Sequence, residues 1–98
     1  MNIIDTIGLP AVLEQLAEES SELSKAALKV SRILRKENPT PITQDKALAD
    51  LDEEANDVRC VLLLLSAKGY AREAPTQIGE KIIRWETRLR EAGSSADG

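Results

Sequence analysis

A chain of 98 residues makes one small domain that buries only roughly 60–65% of its unfolded surface, so cover from a partner chain is expected. With no His and a single Cys, it has no Ser-His-Asp or Cys-His nucleophile, no zinc site of nitrogen and sulfur ligands, and no internal disulfide. The net charge of −4, no Phe, one Tyr and one Trp argue against a nucleic-acid partner, which needs clustered base for phosphates and rings for stacking.

The opening residues, Met1 to Asp5, carry no basic leader. The longest apolar run, Cys60 to Leu65, is six residues, well short of the ~20 that cross a bilayer. A soluble cytoplasmic protein with no membrane partner is therefore expected. Pro10 suits the first turn of a helix, where its missing N–H costs nothing, and no Pro or Gly interrupts the chain from there to Glu37. Asn38-Pro39-Thr40-Pro41 stops that first helix. A second helix is predicted from Thr43 or Gln44 to Lys68, with Gly69 as its C-terminal cap. Pro75 opens a third, ending near Ala92-Gly93. Residues 1–93 read as a single helical domain and 94–98 as a disordered tail.

Each predicted helix carries a 3-4 spaced apolar stripe. The first runs Leu9, Leu13, Leu16, Ser20, Leu23, Ala27, Val30, Leu34; the second Leu48, Leu51, Ala55, Val58, Leu62, Leu65; the third Ile78, Ile82, Trp85, Leu89. No strand-like alternation competes, so the class is all-α; the spacing fits nearly parallel or antiparallel packing, and a long-helix antiparallel bundle is expected. Val61, Leu63 and Leu64 add apolar surface beside the second stripe, and another copy of the chain is the simplest cover. A homodimer or homotetramer is expected.

The acids are placed with a pattern. Glu19 and Glu22 each precede a stripe residue of the first helix, Ser20 and Leu23, and Glu54 and Asp57 precede Ala55 and Val58 of the second. Both i, i+3 pairs thus lie at one angular offset, about 100° back from an apolar stripe. Antiparallel packing through the stripes would bring the pairs face to face at the edge of the core, with Ser20 and Ala55 small enough to allow close approach. Acids on a long helix are usually a solvated face. The repeat of one spacing, at one phase, on two helices puts a metal site on an equal footing with that reading. Converging carboxylates repel and raise their own pKa values unless a cation is bound, and an all-oxygen set suits Mg²⁺, with Mn²⁺ as the alternative.

These residues resemble a known family. Glu18-Glu19-x-x-Glu22 with Glu54-x-x-Asp57 is similar to the E-E-x-x-E and E-x-x-D signature of the MazG-like all-α nucleoside triphosphate pyrophosphohydrolases, in the short form of phages and prophages. The likeness extends through Leu16 to Leu23 and Leu51 to Val58, and covers roughly Leu9 to Leu89. It implies the bundle fold of that family, completed by oligomerisation. It further implies Mg²⁺-dependent cleavage of a (d)NTP to a (d)NMP and pyrophosphate. On the resemblance, Glu19, Glu22, Glu54 and Asp57 are metal ligands, Glu19 is catalytic as well, and Glu18 is a catalytic acid that either backs the ligands or helps to orient the attacking water.

In the third helix Lys81, Arg84 and Arg88 each precede a stripe residue, forming a basic stripe suited to substrate phosphates, or else a solubilising one paired with Glu80 and Glu86. Lys29 is a weaker phosphate candidate. Trp85, on the apolar stripe, reads as core rather than as a base-stacking ring; Cys60 as buried filler; Asn56 as an exposed helix residue; Asn38 as part of the turn. A phosphoribosyl-ATP pyrophosphatase-like enzyme is the nearest alternative, although Glu18 lies too close to Met1 for that enzyme's usual N-terminal segment. A non-catalytic helical interaction or regulatory protein is the alternative from another class. A ferritin-like di-iron site is excluded by the missing His.

Overall fold

The computed structural model describes residues 2–37 and 41–97, and for 94–97 the backbone only. Four helices follow in order: α1 (Ile3–Ile7), α2 (Leu9–Leu34), α3 (Gln44–Ala67) and α4 (Pro75–Asp97), with no strand among the described residues. Their ends obey local chemistry. Asn2 caps α1 by accepting from the Asp5 amide (3.2 Å), and Gly8, at φ 93, separates α1 from α2. Pro10 stands in the first turn of α2, as its fixed φ favours. Thr43 caps α3, its hydroxyl accepting from the Lys46 amide (3.1 Å). At the far end of α3 the Tyr70 amide reaches back to the Leu65 carbonyl and the Gly69 amide to Ser66, with Gly69 left-handed at φ 89. That is the Schellman closure, which favours glycine because a Cβ crowds the left-handed backbone.

The five-residue α1 escaped the periodicity argument, being too short to show a period. α4 continues through Asp97, past the expected stop at Ala92-Gly93; Gly98, the last residue of the expected tail, and Asn38 lie outside the described residues.

α2 and α3 pack antiparallel. Val12, near the start of α2, meets Val61 and Leu65 near the end of α3, while at the other end Ala26 and Lys29 border the same groove as Ala47. α1 closes the first of these ends: Ile4 joins Val12, Val61 and Leu65 in the core, and Lys68 Nζ reaches Asp5 Oδ2 at 3.1 Å. The core is thin. Ile4, Val12, Val30, Ala47, Val61 and Leu65 are the buried hydrophobics, Leu65 at 0% exposure.

The contact line keeps part of the expected stripes, with Leu9, Leu16, Leu23, Val30, Leu51, Val58 and Leu65 buried or half-buried, and departs from them at the positions between. The buried Val12, Ala47 and Val61 each immediately precede an expected stripe residue, Leu13, Leu48 and Leu62. Both helices are therefore rolled toward the side on which their acids stand. The roll leaves Leu13 45% exposed on the opposite side, with Leu48 and Ser20 also exposed and Ala55 only half-buried. Val61, expected beside the seam, is in it. Ala47 is buried and Ala26 half-buried on this line, small residues in the places expected of Ser20 and Ala55.

α4 packs against none of the other helices among the described residues, so Ile78, Ile82, Trp85 and Leu89 are all exposed. Trp85, expected in the core, is 67% exposed because its helix has no neighbour. Cys60, expected as buried filler, is exposed, because at 100° per residue it stands well round α3 from the buried line of Ala47, Val61 and Leu65. Among the described residues, no helix is long and apolar enough to cross a membrane.

Candidate metal centre

Because the roll favours the acidic side, the expected acid positions become the edge of the contact. Glu19 from α2 and Glu54 and Asp57 from α3 bring one carboxylate oxygen each within 4.8 Å of one another; Glu19 and Glu54 are half-buried and Asp57 is exposed. The i, i+3 spacing puts Glu54 and Asp57 on one side of α3, and antiparallel packing sets Glu19 across from them.

The neighbours refine the cluster. Gln15, one turn before Glu19, donates from Nε2 to Glu19 Oε1 at 2.7 Å and holds that carboxylate in place. Glu22 lies one turn further along α2 beside Glu54, outside the three-carboxylate set, and pairs with Lys25 at 3.3 Å. Glu54 holds its proton above the usual carboxylate range, chiefly because partial burial penalises its charge, and further because Asp57, Glu19, Glu22 and Glu53 repel it. A groove of about 350 Å³ continues from the cluster along the helix pair, lined by Glu22, Lys25, Lys29, Ala47, Asp50 and Glu54.

The donor set is all oxygen, which suits a hard divalent cation. Mg²⁺–oxygen distances of about 2.0–2.1 Å put opposite ligands about 4.2 Å apart, comparable with the observed spread of the three carboxylates. The three carboxylates are thus a group that could hold one cation, and a groove lies beside them.

The remaining sequence candidates fall elsewhere. Glu18 is exposed and outside the cluster. Lys81, Arg84 and Arg88 do share one side of α4, bordering a shallow hollow with Trp85, but α4 stands off the helix pair, so within one chain they are apart from the acids. Lys29, the weaker candidate, lines the acidic groove itself. Asn56 is exposed as expected and accepts from Arg59 (3.1 Å). Sequence reasoning passed over Gln15 and Lys25; their spacing of four before Glu19 and three after Glu22 was the available signal. Compared with protein-family models, curated proteins and solved structures, the chain finds no match.

Proposed function

We propose that this chain is a Mg²⁺-dependent nucleoside triphosphate pyrophosphohydrolase of the MazG-like all-α type, cleaving a (d)NTP between its α and β phosphates. The observation that carries the reading is the convergence of Glu19, Glu54 and Asp57, which occupy three of the positions that the signature resemblance assigns to metal ligands. Glu22, beside Glu54, would be the fourth.

Those carboxylates would hold Mg²⁺, or Mn²⁺ in its place. When bound, the cation supplies positive charge that polarises the phosphoanhydride and acidifies a water molecule. The chain's own residues do the rest. Gln15, hydrogen-bonded to the Glu19 carboxylate, would help to hold it beside Glu54 and Asp57. Lys25 and Lys29, already bordering the groove, offset polyphosphate charge along it. Lys81, Arg84 and Arg88 are further phosphate-holding residues. The proton released by the attacking water goes to a carboxylate oxygen, and Glu18, next to Glu19 and without an ion pair among the described residues, is the acceptor assigned.

Glu19→Gln tests the assignment. Pyrophosphate release from NTPs and dNTPs with Mg²⁺ should fall more than about 100-fold, beyond the roughly 10–100-fold that loss of a ligand's supporting hydrogen bond costs. The helical circular dichroism should be unchanged. Turnover retained in this variant overturns the ligand set. Phosphoribosyl-ATP assayed alongside separates the pyrophosphatase alternative. Calorimetry showing binding of neither Mg²⁺ nor a nonhydrolysable dNTP would leave a non-catalytic helical protein.

A further inference from the structure

One cation in the groove beside the acid cluster has no carboxylate of its own. Lys29 is half-buried in the groove wall, yet it makes no ion pair among the described residues. Its neighbours there are matched: Glu22 with Lys25 at 3.3 Å, and Asp50 with Lys46 at 2.7 Å. An ammonium drawn partly out of water calls for a negative partner to offset its lost hydration. We propose that Lys29 holds the terminal phosphate of the substrate triphosphate, so that the groove selects for a third phosphate and fixes which way the substrate lies. This role presupposes the pyrophosphohydrolase reading and adds to it the residue that counts phosphates.

Position decides the role. Lys29 follows Glu19 by ten residues and Glu22 by seven, about 15 Å and about 10 Å along the axis of α2. Side chains on a helix lean toward its N-terminus, so the Lys29 stem runs back toward the cluster. On the opposite wall Asp50 and Ala47 stand four and seven residues before Glu54, so antiparallel packing extends both walls in the same direction. The groups that bear on Glu54 are all acids, so the Lys29 ammonium stands off from the cluster and does not neutralise it. A phosphate chain anchored at the carboxylates through a cation fits that gap: its first two phosphates lie at the cluster end, and the third reaches Lys29. Lys25 is one turn nearer, but its side chain is 70% exposed and already paired, so it discriminates less.

The direction of the substrate follows. The α phosphate sits at the carboxylates, the β and γ phosphates point along the groove to Lys29, and the nucleoside lies the other way, toward Gln15. As the water oxygen bonds to the α phosphorus, the bridging oxygen leaves with its electron pair on the β phosphate, and the water's proton goes to a carboxylate. Lys29 thus holds the far end of the departing pyrophosphate, whose charge grows as the bond breaks.

Calorimetric titration in Mg²⁺ with two nonhydrolysable nucleotides, the α,β-imido forms of dATP and dADP, reads this without turnover. The native chain should bind the triphosphate about 10–100-fold more tightly, the usual worth of one hydrogen bond between charged groups. Lys29→Met keeps most of the stem in the groove wall and should bring the triphosphate down to the affinity of the diphosphate, whose own binding should not move. Lys29→Arg should keep most of the preference, and helical circular dichroism checks that both variants fold. The native preference needs no variant: a native chain that binds both analogues equally overturns the role of Lys29. So does a Lys29→Met chain that keeps the preference, or one that loses affinity for both analogues alike. The pyrophosphohydrolase reading fails in a different way. A native chain that binds neither Mg²⁺ nor either analogue removes the substrate itself, and the role of Lys29 with it.

Discussion

Glu54 is the residue on which the chemistry and the stability of the helix pair meet. It is half-buried, and the charges of Asp57, Glu19, Glu22 and Glu53 bear on it, so the folded chain holds its proton above the usual carboxylate range. The unfolded chain has no such bias. Between the unfolded and the raised folded value, the folded state binds more protons, so stability rises as pH falls through that window. Above the folded value, at neutral pH, the repulsion is fully present. Glu54→Gln should therefore raise the melting temperature at pH 7 in the presence of a chelator and flatten the pH dependence through the window in which Glu54 takes up its proton. Mg²⁺ should raise the melting temperature of the native chain by mass action and leave that of the variant nearly unmoved. Thermal melts followed by circular dichroism read all three effects. A variant that melts lower than the native chain without metal would show that the carboxylates do not oppose one another.

At the scale of elements, one pair of helices carries almost all of the buried apolar surface, so the position of its contact line decides which leucines matter. Leu34 and Leu65 both belong to 3-4 spaced stripes and look equivalent in the sequence. In the fold Leu65 is at 0% exposure among Ile4, Val12 and Val61, whereas Leu34, at the end of α2, is 57% exposed. Leu65→Ala should cost about 2–5 kcal/mol, a large share of what so thin a core supplies, and Leu34→Ala no more than about 0.5 kcal/mol. Urea unfolding of the two variants would decide it, and equal costs would contradict the rolled contact line. The same roll is why the acids converge. A pair packed through Leu13 and Leu48 would carry Glu19 and Glu54 round toward solvent and widen the gap between them.

At the scale of the whole molecule, α4 is the unbalanced part: a 23-residue amphipathic helix projecting from a hairpin that does not need it to close. Helices of this kind are held by packing of their apolar side more than by intrinsic propensity. If a second copy provides that packing, unfolding is coupled to dissociation. The melting temperature of the native chain should then climb with protein concentration, while that of the chain carrying Ile82→Asp and Leu89→Asp should not. Calorimetric scans over a 100-fold range of concentration would show the difference. A concentration-independent melting temperature for the native chain would leave α4 without its partner.

What the sequence by itself determined is local. Pro10, Thr43, Gly69 and Pro75 mark helix ends because capping, ring closure and left-handed backbone act within a few residues, and the absence of strand alternation follows from the same short-range pattern. The shared phase of Glu19, Glu22, Glu54 and Asp57 is equally local, a property of 100° per residue, and it made the acidic side of the pair legible. Only the tertiary structure decided which of those acids meet. That depends on how far two cylinders roll against each other, which is a matter of residues far apart in the chain, such as Val12 and Val61, meeting in one core. The exposure of Trp85 and Cys60 was hidden for the same reason: an apolar position on a helix states that a partner fits there, and only the packed chain shows whether it already has one.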